Sequence, residues 1–345
     1  MLDDISGRSH MDIDYLLLLQ NLREGVLGGS FDGFANFLSD IVLSPWPLMI
    51  GAFIYWIVDK RAGTFFFMNY AFSKTVNEII KLSCCIYRPW IRDPRVLPAG
   101  DSKTTATGYS FPSGHSNLAV SSYGSLAVWQ WRTRKWISVI AIILMLMTLF
   151  SRNFLGVHTP EDVIVGTVAS GLMMFINFKI FKYFEKGNKT AHATIVLVPV
   201  AITITVLFYI NFKAYPHDYI DGQIIVDPQK MLPDCYEALG MFMGFIFGWY
   251  IERHMINFDV PKKDIVTVII AIISTIPIYF IQVNSGAWML QFIDVTWAKF
   301  LVKFIEYIYI FALIPLIYNL ITIKKIKNPK IRGTIEVTKT TVVKK

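Results

Sequence analysis

Apolar residues run along this chain in long unbroken blocks. They show neither the alternation of a half-buried strand nor the single stripe of a soluble amphipathic helix. "VIAIILMLMTLF" (139–150) and "IVLVPVAITITVLFYI" (195–210) are examples. Stretches of roughly 18 or more such residues recur, and each is long enough to cross ~30 Å of hydrocarbon. The pattern predicts an all-α, polytopic transmembrane helical bundle of about nine spans, over 43–58, 62–86, 114–131, 136–151, 160–183, 193–212, 234–251, 264–283 and 299–322. Residues 13–40 are too polar to span and read as one or two amphipathic segments at the interface. The expected organisation is an interfacial segment at 1–40, a core of about six helices at 41–212, about three further helices at 213–322 and a basic tail at 323–345.

Composition agrees with this reading. Of 345 residues, 54% are hydrophobic and 17% charged, against about one quarter charged in soluble domains. The start of the chain lacks a basic region leading into an apolar core, so no cleavable signal is expected. The net charge of +8 comes mostly from short loops, with no basic stripe interleaved with aromatics, which argues against a nucleic-acid partner. Lys60/Arg61, Arg132/Arg134/Lys135, Lys179/Lys182/Lys186/Lys189 and Lys262/Lys263 fall in alternate loops, and the tail adds Lys324, Lys325, Lys327 and Lys330. By the positive-inside rule these loops face the cytoplasm, and the intervening loops, with the N-terminus, face the other side. Cys84, Cys85 and Cys235 do not make a disulfide framework and read as buried thiols acting as small apolar residues. In "GMFMGFIFG", Gly240, Gly244 and Gly248 share one helix face, a stripe for close helix packing.

Polar residues at the membrane edge are costly and therefore candidates for function. They gather in three places on the non-cytoplasmic side. In "KLSCCIYRP", Lys81 and Arg88 are seven residues apart, about two helical turns, so both can point to one face before Pro89 ends the helix. Snorkelling of Lys81 and a headgroup contact for Arg88 are the plainer alternative. In "FPSGHS", Ser113 is an N-cap, Gly114 lets a ligand approach the backbone, and the helix start offers free N–H groups to an anion, with His115 in the first turn. In "SRNFLGVHTPEDV", Arg152 is a fixed cation. His158 stands just outside a helix whose start is marked by Thr159 and Pro160, and Asp162 can turn back to the imidazole, fixing its tautomer. Asn77 and Glu78 lie a turn or less before Lys81, where positioning Lys81 and packing between helices are both open. Arg92 and Arg95 read as surface charge or as headgroup contacts. Cations, an N-terminus, two histidines and an acid on one membrane face suit phosphoryl transfer, which needs charge on the non-bridging oxygens, an in-line nucleophile and a proton for the leaving group.

These three motifs, K-x6-RP, PSGH and SR-x5-H-x3-D, resemble the signature of the type 2 phosphatidic acid phosphatase superfamily over about residues 40–185. The resemblance implies a phosphatase core in the N-terminal half. It implies that His158 is the nucleophile of a phosphohistidine intermediate, that Asp162 orients it and that His115 is the acid and then the base. Lys81, Arg88 and Arg152 would hold the phosphoryl oxygens, aided by Ser113 and the N–H of Gly114. His158 would then have to be neutral and His115 protonated, giving a bell-shaped pH profile. No metal or other cofactor is expected, since cations and the helix dipole supply the charge. The expected activity is hydrolysis of a lipid phosphate monoester or pyrophosphate in the membrane, and the bilayer and that lipid are the expected partners. A sugar-phosphate phosphatase and a lipid phosphotransferase are the alternatives. A transporter would explain the spans but not the histidine pair with its acid.

Overall fold

In the computed structural model, which describes residues 11–100, 102–106, 108–185, 191–220, 222–261, 264–284 and 292–327, the apolar blocks fold as helices. Helices α1 (Met11–Asn21) and α2 (Asp32–Asp40) precede α3 (Trp46–Phe53), which continues through a π turn at Ile54–Val58. The long α4 (Lys60–Cys84) follows. Helix α5 runs unbroken over 114–130, as Gly114–Ala119, a π turn at Val120–Gly124, and Ser125–Gln130. Then come α6 (Lys135–Phe154), α7 (Pro160–Glu185) and α8 (Ala191–Phe212). Helices α9 (Leu232–Ile251), α10 (Ile265–Val283) and α11 (295–327, with a π turn at Tyr309–Leu313) end the described chain. Strands Tyr219–Ile220 and Gln223–Ile224 form a small antiparallel hairpin in the loop before α9. The described residues of the loop at 87–113 are irregular apart from single turns at Pro89–Arg92 and Ser102–Thr105.

Among the described residues, five helices are long and apolar enough to cross a membrane: Lys135–Phe154, Pro160–Glu185, Thr194–Phe212, Ile265–Val283 and Val295–Ile321. They correspond to five of the nine expected spans, so the full count of nine is not confirmed. The other four stretches are helical but fall short in length or apolarity. The physical reason is where they sit. In α4, 16 of 25 residues are buried, among them Asn69, Ser73, Thr75, Asn77, Glu78 and Lys81. In α9, 15 of 20 are buried. An interior helix is solvated by its neighbours and can carry polar groups, whereas only 22% of the α8 window is buried and the rest must suit lipid. On α6 the exposed face is Trp136, Val139, Ile140, Ile143, Leu146 and Phe150, an apolar stripe at helical spacing.

Side-chain amides hold α4, α5 and α7 together. Asn69 donates to Ser125 Oγ (2.9 Å) and accepts from Asn177 (2.9 Å), while Asn117 donates to the Ser73 carbonyl (3.1 Å). Such bonds act as glue where apolar side chains gain nothing by leaving lipid. In the C-terminal half, a Cβ at Gly244 would stand 2.7 Å from the Phe304 carbonyl oxygen, and one at Gly248 would stand 2.8 Å from Phe311 Cβ. The glycine stripe therefore lets α9 and α11 approach backbone to backbone.

The N-terminal segment packs against this core. Ile13 and Leu16 form a cluster with Val96. Buried Arg23 donates to the carbonyls of Phe154 (3.0 Å) and Leu97 (2.6 Å). The cysteines are free thiols. Cys235 is buried as expected, Cys85 is half-buried, but Cys84 is exposed, because it lies at the end of α4 where the helix leaves the bundle. Residues 1–10 of the expected interfacial segment and 328–345 of the expected tail lie outside the described residues, as do Lys186, Lys189, Lys262 and Lys263.

Candidate active site

Helix α4 ends where Cys85 turns left-handed (φ 52°), its N–H closing on the Lys81 carbonyl at 3.0 Å. Arg88 follows in extended conformation and caps the turn Pro89–Arg92. Lys81 and Arg88 therefore do not share one helical face, as their spacing predicted. The helix stops between them, and Arg88 approaches the site from the loop. Its Nη1 donates to the Val157 carbonyl (3.0 Å) and faces His158 Nε2 at 3.0 Å. Its Nε donates to the Gly108 carbonyl (3.2 Å).

His158 is 1% exposed. Its Nδ1 lies 3.2 Å from Asp162 Oδ2 and 3.3 Å from Ser110 Oγ. A guanidinium N–H can only donate, so the ring nitrogen facing Arg88 must be the acceptor and Nδ1 must carry the proton. That is the tautomer with its lone pair on Nε2, inside the site. Asp162 Oδ2 also accepts from the Thr159 N–H (3.0 Å) and from the Ser110 hydroxyl. The Asp162 N–H points back to Thr159 Oγ1 at 3.4 Å. One carboxylate thus bonds both the start of α7 and the imidazole.

Ser113 caps α5 by accepting from the Ser116 N–H (3.3 Å), and its own N–H donates to the Asp162 carbonyl (3.0 Å). The starts of α5 and α7 are thereby fixed to each other. A Cβ on Gly114 would stand 3.6 Å from Lys81 Nζ and 3.7 Å from Asn77 Nδ2, which places both groups beside the helix start. Glu78 Oε1 lies 3.8 Å from Lys81 Nζ and 3.9 Å from Lys74 Nζ. Arg152, 3% exposed on the last turn of α6, donates through Nη1 to Ser39 Oγ, while its Nε has no partner among the described residues. His115 sits in the first turn of α5 and lies within electrostatic reach of Arg152, His158, Arg88 and Lys81. The structure thus brings together all eight expected residues: Lys81, Arg88, Ser113, Gly114, His115, Arg152, His158 and Asp162.

Burial first, and then the charges of Arg88, Arg152 and Lys81, hold the His158 imidazole well below the usual histidine range. It is neutral at physiological pH. Burial also pushes Arg88 down to about 10, against the pull of Asp162, which leaves it cationic at neutral pH.

Residues that the sequence reading missed complete the site. Ser110 bridges His158 and Asp162, Ser39 holds Arg152, and Asn153 Nδ2 donates to the His158 carbonyl (2.9 Å). Ser110 stands three residues before Ser113, but no spacing rule picks it out. Ser39 comes from the N-terminal segment, far away in sequence. Arg95 forms an exposed pair with Asp93 (2.7 Å), and Arg92 pairs with Asp12 (2.7 Å). A cleft of about 840 Å³ opens beside Thr159 and Asp162, lined also by Phe111, Glu161, Arg92 and Lys213.

Comparison with known proteins bears on the same interval. The family model described as the PAP2 superfamily matches residues 62–186, which hold all eight of these residues. Phosphatidylglycerophosphatase B of Bacillus subtilis is 26% identical over 167 residues, 46% of this chain and 77% of that protein. Undecaprenyl-diphosphatase of Sulfolobus acidocaldarius is 26% identical over 121 residues, 35% of this chain and 56% of that protein. Lipid phosphate phosphatase gamma of Arabidopsis thaliana is 29% identical over 153 residues, 41% of this chain and 64% of that protein. The chain therefore spans under two thirds of the length of the second and third of these relatives. No solved structure matches the chain. Residues 62–186, which hold a buried His–Asp pair facing converging cations, are thus similar to the PAP2 superfamily.

Proposed function

We propose that the protein is an integral-membrane phosphoric ester hydrolase that removes the phosphoryl group from a lipid phosphate monoester or pyrophosphate. One observation carries the mechanism: His158 holds Asp162 with one ring nitrogen and turns the other toward Arg88. Arg88, Lys81, Arg152 and the N-terminus of α5 bind the non-bridging oxygens. His158 Nε2 attacks phosphorus in line, and the bond to the leaving oxygen breaks as His115 protonates that oxygen. Asp162 stabilises the cationic phosphohistidine. His115, now neutral, takes a proton from water. The water oxygen attacks phosphorus, the P–N bond breaks, phosphate leaves and His158 is neutral again. Fixed cations supply the charge that a metal would otherwise bring.

The names of the relatives support a lipid as substrate, as does a site bordered by helices with lipid-facing stripes. A substrate whose tail stays in the bilayer can present its phosphate at that edge. The distribution of basic loops supports a site on the non-cytoplasmic face. The test is phosphate release by purified protein across phosphatidate, phosphatidylglycerophosphate, isoprenoid pyrophosphate, sphingoid phosphate and glucose-6-phosphate, with and without EDTA. Release from one or more lipids, unaffected by EDTA, is expected. Release from the sugar phosphate alone would overturn the lipid reading, and loss with EDTA would overturn the metal-free one. Transfer of phosphate to added alcohols in place of water would make the protein a phosphotransferase.

A further inference from the structure

Asn77 is 1% exposed, and neither Nδ2 nor Oδ1 has a hydrogen-bond partner among the described residues. An amide left this way in a bundle costs free energy, because its donor and acceptor have given up water without gaining a partner. Asn117 and Asn177 also leave Oδ1 unpartnered, but the amide nitrogens of Asn69, Asn117, Asn153 and Asn177 all find acceptors, and that of Asn77 does not. Asn77 differs in its place. Its Nδ2 lies 3.7 Å from the position of a Cβ on Gly114, and Lys81 Nζ lies 3.6 Å from the same point. An ammonium, an amide N–H and the start of α5 therefore border one small volume. The Arg152 guanidinium also keeps a buried Nε without a partner.

We propose that Asn77 is a further substrate-contacting residue, whose Nδ2 donates to a phosphoryl oxygen lodged between Lys81 and Gly114. This rests on the phosphatase reading above. The donor is neutral, so it recognises oxygen geometry without adding charge, and its value grows as negative charge builds on the equatorial oxygens in the transition state. A packing role for Asn77 would instead require a protein partner for its amide.

The test uses the full chain in detergent, with orthovanadate as the phosphoryl mimic, read by calorimetry, alongside kcat and KM for the best lipid substrate. Asn77→Ala and the near-isosteric Asn77→Asp should each weaken vanadate binding at least about tenfold and lower kcat/KM about 100-fold. Their unfolding temperatures without vanadate should stay near that of the parent. If Asn77→Ala folds poorly, Asn77→Asp carries the test. Variants that bind vanadate like the parent, or that lose only thermal stability, overturn the proposal and leave the phosphatase reading standing. A parent that binds vanadate in an Asn77-dependent way but hydrolyses no ester overturns that reading instead. A parent that does not bind vanadate overturns both.

Discussion

Among the described residues, two of the clusters that hold buried charge are finished in opposite ways. In the C-terminal half, Lys303 and Glu306 are 2% and 0% exposed and meet at 3.0 Å, and Gln282 adds a donor to Glu306 at 2.8 Å. Lys299 meets Asp234 at 2.8 Å and Glu237 at 3.8 Å. Each of these cations has a carboxylate of its own, and no ligand is needed. In the N-terminal half, burial is as deep but the polar groups of Asn77 and Arg152 Nε are left without partners among the described residues, and Arg88 is aimed at a neutral imidazole. Leaving polar groups unsatisfied is expensive. The difference suits the first cluster to architecture and the second to the proposed phosphoryl site.

The largest effect should separate the clusters outright. Replacing His158 by Ala removes the proposed nucleophile, and phosphate release should fall by about 10³-fold or more, while unfolding in detergent should change little. Retained turnover would sink the assignment. The mirror experiment is Lys303→Met, which strands a buried carboxylate and should cost about 3–5 kcal/mol of stability. Activity per folded molecule should stay within about threefold. Adding Glu306→Leu should restore much of the lost stability, as measured by unfolding temperature. A large loss of activity in folded Lys303→Met would break the contrast.

Asp162→Asn should lower kcat about 100-fold, because an amide in place of the carboxylate no longer fixes the Nδ1–H tautomer or stabilises the cationic phosphohistidine. Steady-state kinetics check this. The mildest effect is on pH. The proposed attack needs neutral His158, whose pKa is depressed, so the acidic loss of kcat/KM should fall below the usual histidine range in the free protein. Arg88→Gln removes a cation that disfavours the imidazolium, so the acidic limb should move upward toward 6.5. A downward move would contradict the field assigned to the site.

How much of this was legible in the sequence follows from the physics of each part. Capping and motif spacing are local, and Ser113, His158 and Asp162 were found that way. The five most lipid-exposed helices were legible because hydrocarbon demands apolar side chains on every outward face. Interior helices escape that demand, so α4, with Glu78 and Lys81, is expected as a span from its pattern yet is not apolar enough to be confirmed as one. The left-handed turn at Cys85 was not legible, because a cysteine there gives no glycine signal, and it is what separates Lys81 from Arg88. Ser39 and Ser110 enter through tertiary contacts with residues 113 and 52 positions away along the chain, and no local pattern records them.

The central claim is that His158 carries the phosphoryl group during turnover. The most direct measurement is millisecond quenching of the full-length protein into alkali with saturating labelled substrate, followed by peptide mapping. The account predicts an alkali-stable, acid-labile phosphoryl group on His158 and none in His158→Ala. Active protein that carries the label on another residue, or that turns over with no label at all, would contradict it.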